Sequence, residues 1–278
     1  MEDRLLTALR GERVEGIKHP AIALARQLKS EAGRRAAGFY LIHGQVLLER
    51  ALEAGSGVAL VLYTPRLPSG PDGPATRASL VEQNVPFALV SEGTMRAIVE
   101  RAYVPEIVAA VERRTVPVES VSVGPGSLLL LANGVTNPSN LGMLVRTAYG
   151  AGADALLMTE GTTDPFVWQV STGSTGAIFR LPLVEQVRPD ALRRLRADGL
   201  LTVAATPQAE CEYPDLDYRQ PVCFLVGNEA TGLTPDVAAE AAVTVRIPMA
   251  HHLDSLNVAV AAGILLFEAQ RQRGQARC

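Results

Sequence analysis

Three short stretches of this 278-residue chain carry polar side chains where an apolar core has no use for them. In "NPSNLGMLVRTAYGAG", Asn137 to Gly152, Asn137 is able to cap a helix and Pro138 suits its first turn, where a missing N–H costs nothing. Gly142 and Arg146 then fall four apart on one face of an otherwise apolar segment. In "LVGNEATGL", Leu225 to Leu233, a strand runs into Gly-Asn-Glu, so that Gly227 permits close backbone approach and Glu229 suits a cationic or hydroxyl-bearing ligand. The stretch has neither the lysine and spacing of a P-loop nor three dinucleotide-type glycines, and without a ligand it reads as a plain turn. In "RIPMAHHLDSLNVAVAAGILLFE", Arg246 to Glu268, a helix is expected to begin near Asp254 or Ser255, with Asn257 in its first turn and Ser255 as an ordinary N-cap. His251 and His252 are adjacent in a loop, without helical ligand spacing, which argues against metal or general-base chemistry. A fourth cluster is basic. Lys18, Arg26, Lys29, Arg34 and Arg35 face one acid, Glu31, between Lys18 and Phe39, which reads either as a solvated helix face or as a surface for phosphates.

The elements that must hold these residues follow from periodicity and punctuation. Upstream, "FYLIHG", "VALVLYT" and "VPFALVS" read as strands, with "QVLLERALEAG" and "EGTMRAIVE" as helices, giving a small α/β domain over residues 1–111. "LPSGPDGPAT", Leu67 to Thr76, reads as a loop. Pro117, Gly124, Pro125 and Gly126 interrupt the pattern, so a linker is expected at about 112–126 and a second domain at 127–278. There, apolar runs such as "SLLLLANG", "ADALLMT", "LLTVAAT", "VCFLVGN" and "VTVRIPM" alternate with helical stretches, as in an α/β fold with a mostly parallel sheet covered on both faces. The three clusters fall after strands, where such sheets bind ligands.

Bulk properties fit this reading. A hydrophobic content of 47% and a net charge of −3 suit globular folding and exclude disordered or collagen-like classes. No apolar run reaches membrane-spanning length and "MEDRLLTALRGERVEG" is too charged for a secretory signal, so a cytoplasmic protein without membrane association is expected. Cys211, Cys223 and Cys278 have no CxxC spacing, which predicts reduced thiols and no metal.

Together, "NPSNLGMLVRTA", "LVGNEATGL" and "IPMAHHLDSLNVAVAAGILLFE" resemble the three motifs of the SpoU-type (TrmH-like) RNA 2′-O-ribose methyltransferases of the SPOUT class. "GSTGAIFRLPLV" is similar to the segment between the first two. "KHPAIALARQLKSEAGRRAAGFYLIHGQVLLERALEAG" is similar to the L30e-like substrate-binding domain that precedes many members. The resemblance implies a deep trefoil knot formed near residues 225–272, and a homodimer with active sites beside its interface. It implies S-adenosyl-L-methionine as methyl donor, held mainly by backbone groups at Leu225, Gly227, Ile247, Met249 and Leu256, with Thr206 as a further candidate. Asn140, Arg146, Glu229, Ser255 and Asn257 match the family's active-site positions, Gly142 would allow close packing beside substrate, and the basic cluster would contact RNA. Asn133, Asn137 and Asp254 depart from the family's common acidic residues.

A ribose 2′-hydroxyl must lose its proton as it attacks a sulfonium methyl. Arg146, with an intrinsic pKa of about 12 or above, is expected to grip the adjacent phosphate and stabilise oxyanion charge rather than act as base. The 2′-hydroxyl requirement excludes DNA. The low aromatic content, 5%, favours recognition of structured RNA by shape and phosphate contact over base stacking. Ribosomal RNA is the expected substrate, 23S in particular, with transfer RNA as the alternative. Housekeeping and antibiotic-protective roles both stay open, as do Arg146 acting in cis or across a dimer. A non-catalytic RNA-binding module of the same fold would be expected to lack Asn140, Arg146 or Gly227. A dehydrogenase would need a Gly-rich first turn that "LANGVTNPSN" lacks.

Overall fold

The structure is a computed structural model that describes residues 8–16, 18–67, 73–99, 103–251 and 255–275. His252 and Asp254 lie outside the described residues. The chain forms two compact units: one runs to Arg113 and includes Phe166–Thr172, and the other holds Arg114–Pro165 and the chain from Gly173 onward.

The first unit contains β1 (Arg10–Arg13), α1 (Pro20–Gln27), α2 (Glu31–Ala37), β2 (Phe39–His43), α3 (Gln45–Glu53), β3 (Val58–Tyr63), α4 (Gly73–Glu82), β4 (Phe87–Leu89), α5 (Glu92–Val99) and β5 (Ile107–Glu112). Its sheet runs β1-β4-β3-β5-β2, with β1, β4 and β3 parallel and β5 antiparallel to both neighbours. Ile22, Leu28, Leu60, Leu62, Met95 and Ile98 form the core beneath it. Three features depart from the sequence pattern. Residues expected as a loop from Leu67 begin α4 at Gly73, because Pro74 falls in the first turn, where proline is tolerated. The basic segment is two short helices, the second capped by Ser30 and ended by Gly38 at φ 73°. Phe166 and Trp168 join this unit from far along the chain: the Phe166 ring sits 4.9 Å from Tyr40 and under the Arg113 guanidinium, and Trp168 stacks on His43.

The second unit contains β6 (Leu128–Asn133), α6 (Pro138–Gly150), β7 (Ala155–Met158), β8 (Leu183–Val184), α8 (Pro189–Ala197), β9 (Leu201–Ala205), β10 (Val222–Gly227), α9 (Pro235–Ala238), β11 (Val243–Val245) and α10 (Val258–Gln275). Between β7 and β8 lies α7 (Trp168–Ser174), which bridges the break between the units in sequence. The sheet order is β11-β9-β10-β6-β7-β8 and every pair is parallel. Strands β6 and β7 are buried along their whole lengths, as expected of a sheet covered on both faces. The stretch after Arg113 packs against this unit: Val116 N–H donates to Leu183 and Val118, Val121 and Val123 lie on its core.

The order of the strands places the site. From β6 the chain builds outward to β8, crosses to β9 on the other side, and then inserts β10 between β9 and β6. Because all are parallel, the loops after β6, β9, β10 and β11 emerge at one edge. Among the described residues no helix is long and apolar enough to cross a membrane.

Candidate active site

Asn137 caps α6 through its side-chain carbonyl, which accepts from Ser139 N (2.9 Å) and Asn140 N (3.4 Å). That start fixes Asn140 in the first turn, buried, with its amide turned towards two other loops. Its Nδ2 donates to Glu229 Oε1, and its Oδ1 accepts from Asn257 Nδ2 at 2.9 Å. Asn257 is the residue before α10, not one inside its first turn as expected. Its Oδ1 accepts from Ala259 N (3.0 Å) and Val260 N (3.4 Å), so one amide caps the helix and holds Asn140 together. Residues 89 and 117 positions from Asn140 along the chain thus meet its single side chain.

Behind this network lies a cavity of about 370 Å³, within the range of small-molecule sites. Thr206, Gly227, Glu229, Ile247, Met249, Ser255 and Leu256 line it, joined by Ala205, Pro207, Gln208, Asn228 and Ala261. Leu225 is not part of this lining; its side chain is fully buried with Leu129, Leu131 and Leu157. Gly227, on the cavity lining, is also required by the chain itself. A Cβ there would meet Gly232 C at 2.2 Å and Leu233 N at 2.4 Å, so the chain itself folds back over this glycine. Paired bonds between Asn228 and Gly232 close that loop, and Asn228 Nδ2 ties it to Gly134 O at 2.8 Å. The lining suits S-adenosylmethionine: apolar side chains and backbone for a flat base and a thioether chain, and one carboxylate, Glu229, for a cation.

Two expectations change. Gly142 packs on the chain: a Cβ on Gly173 would lie 3.2 Å from Gly142 Cα. Arg34 is withdrawn from the RNA surface, since it is only 6% exposed and its Nη1 donates to the Leu28 (3.1 Å) and Lys29 (2.8 Å) carbonyls at the end of α1. Lys18, Arg26 and Arg35 are exposed and Lys29 half-buried. Arg35 pairs with Glu31 at 2.9 Å.

Arg146 is outside the cavity lining. It lies six residues beyond Asn140, about 9 Å along the axis and on another face. It is exposed and, among the described residues, its guanidinium has no hydrogen-bond or ion-pair partner. On the same helix Met143 and Tyr149 are exposed, and Val260 and Phe267 are exposed on α10, which packs alongside α6.

A parallel α/β sheet with a cavity and a polar cluster in the loops after its strands defines an α/β protein with a small-molecule site at that edge. Residues 127–267 match the SpoU rRNA methylase family. The chain is 28% identical to the 23S rRNA (guanosine(2553)-2′-O)-methyltransferase of Bacillus subtilis, over 92% of this chain and 98% of the relative. It is 31% identical to the 23S rRNA (uridine(2479)-2′-O)-methyltransferase of Streptomyces viridochromogenes, over 86% of this chain and 85% of the relative. The S-adenosylmethionine-bound rRNA methyltransferase of Sinorhizobium meliloti superposes with a TM-score of 0.83 at 30% identity, covering 94% of this chain and 98% of that one. The chain belongs to the SpoU rRNA methylase family, and it is an RNA methyltransferase that uses S-adenosylmethionine.

Proposed function

We propose that this chain methylates the 2′-hydroxyl of a ribose in 23S ribosomal RNA, as a cytoplasmic homodimer with one RNA-engaging and one catalytic domain per protomer. The observation that carries the reading is the bonding of Asn140 to both Glu229 and Asn257 at the edge of the cavity. It draws support from the relatives, whose two named targets are both 2′-hydroxyls of 23S ribosomal RNA. Bound S-adenosylmethionine supplies an electrophilic methyl: an O–CH3 bond forms, the S–CH3 bond breaks, and the hydroxyl proton leaves to water or phosphate.

The chain's residues do the rest. Gly227, Ile247, Met249 and Leu256 form the cavity wall that orients the cofactor, with Thr206 at its side. Asn140, held between Glu229 and Asn257, points the ribose, and Ser255 lies on the same wall. Arg146 grips the phosphate beside the target and stabilises the charge that develops on the 2′-oxygen. In its own protomer Arg146 is outside the cavity lining, on a helix that exposes Met143 and Tyr149 and packs beside α10, which exposes Val260 and Phe267. A symmetric dimer through these apolar residues would bury them and deliver Arg146 to the partner's site. Lys18, Arg26, Lys29 and Arg35 hold RNA phosphates without reading base sequence.

The trefoil knot belongs to the same reading. It draws support from the late insertion of β10 between β6 and β9, and from Arg273 near the chain end, which donates to the carbonyls of Gly126, Ser127, Tyr218 and Gln220.

The test is incubation with tritiated S-adenosylmethionine and total RNA from cells lacking the gene, followed by separation of the RNA species and nucleoside analysis. A 2′-O-methylated nucleoside in 23S RNA is expected. A base-methylated nucleoside, or label only in transfer RNA, overturns it.

A further inference from the structure

The cavity and the Asn140 network share a support that neither contains. Asn133 ends β6 and is 2% exposed, directly beside Gly227 in the register of β6 and β10. Its Oδ1 accepts from Thr234 N at 2.7 Å, and its Nδ2 donates to Thr159 Oγ1 at 2.9 Å. Thr159 Oγ1 also accepts from Gly134 N (3.1 Å) and donates to Glu160 O (3.2 Å). One buried amide therefore joins the residue after the Gly227–Leu233 loop, the residue after β7, and the start of the loop that leads to Asn137. Asn228 repeats the tie from the other side through Gly134 O.

We infer that Asn133 is a positioning residue for methyl transfer: it locks the β10 loop, which lines the cavity and carries Glu229, to the loop that presents Asn140. This rests on the reading of the cavity as the S-adenosylmethionine site. Every polar partner of its side chain is a loop residue at the strand ends, whereas the sheet beneath is held by its own ladders. A buried amide with both its donor and its acceptor used is stiff in a low-dielectric surrounding, and stiffness is what a reacting geometry needs from its supports.

The experiment uses the full-length chain with S-adenosylmethionine binding by calorimetry, steady-state kinetics and thermal melts. Asn133→Leu keeps the branching and the number of side-chain heavy atoms and removes both bonds. It should raise the Kd and KM for S-adenosylmethionine by about tenfold while RNA affinity stays within about twofold. Thr159→Val should weaken S-adenosylmethionine binding in the same direction, and the double variant should be no worse than Asn133→Leu, because the two side chains act as one unit. A lowered melting temperature with unchanged S-adenosylmethionine affinity, or fully additive effects, overturns the inference. Should Asn133→Leu not fold, Thr159→Val decides alone: weakened binding supports the role and unchanged binding removes it. Ala205→Phe, which fills the cavity, separates the two readings. Binding retained in Ala205→Phe sinks the assignment of the cavity, whereas binding lost there but intact in Asn133→Leu sinks only the role of Asn133.

Discussion

Charge alone does not say what an arginine does here; its surroundings do. Arg34 and Arg35 are neighbours in sequence, yet one is buried on the carbonyls that end α1 and the other is exposed beside Glu31. Arg34→Glu is expected to destabilise the first unit by about 3 kcal/mol, because it removes two charge-assisted bonds and buries an unpaired carboxylate. A urea melt checks this. Arg26→Glu and Arg35→Glu should leave stability nearly unchanged and weaken RNA binding. Each should lower the slope of log affinity against log salt by about one, measured over a salt series. Arg146 is the opposite case, exposed and without a partner among the described residues. Arg146→Ala should abolish methyl transfer while S-adenosylmethionine still binds, since the cavity lining does not include it. Arg146→Lys keeps the charge but loses the planar fork, with an expected loss in turnover of at least tenfold, about 1.4 kcal/mol.

The terminal helix shows how one element serves both packing and chemistry. Its first turn is capped by Asn257, the residue that also holds Asn140. Its last turns are tied down through Glu268, which accepts from Arg271 Nε and Nη2 (2.7 Å each) and from Gln272 Nε2 (2.8 Å). The Arg271 guanidinium holds the Glu268 carboxyl below the usual carboxylate range. A depressed folded-state pKa stabilises the fold above the unfolded value of about 4.3, and that contribution is lost as pH falls through the folded one. Glu268→Gln should therefore lower stability at neutral pH by about 1 kcal/mol, Arg271 being half exposed, and the gap to the unaltered chain should close under acid. Melts at neutral pH and below pH ~4 would show whether the gap closes.

For the whole molecule, the separation of Arg146 from its own cavity supports the proposal that assembly is part of catalysis. The chain should run at about twice 29.5 kDa in solution, and Arg146 should work across the interface. Mixing separately inactive Arg146→Ala and Asn140→Ala chains distinguishes the arrangements. In trans, a mixed dimer holds one complete site and recovers about half the activity of an unaltered dimer; in cis it recovers none. A monomer with full activity would remove the interface from the mechanism.

The sequence by itself determined the parallel sheet of the second unit, because buried parallel strands must be written as continuous apolar runs and their loops as breaks in them. It also determined the three polar clusters, since a guanidinium or carboxamide inside an apolar segment stands out without any structure. Elements written without such a pattern stayed hidden. The helices α1 and α2 are only eight and seven residues long, too short for a clear helical period, and α4 begins among glycines and prolines that read as a loop. Tertiary structure alone decided the partners. The spacing of Asn140, Glu229 and Asn257 contains nothing that says one amide will bond both others, because that follows from β10 being inserted beside β6. Likewise, nothing local marks Arg34 as buried or Asn133 as the joint between two loops. Local sequence sets which conformations a segment prefers, whereas the role of a side chain depends on which distant segment is brought against it.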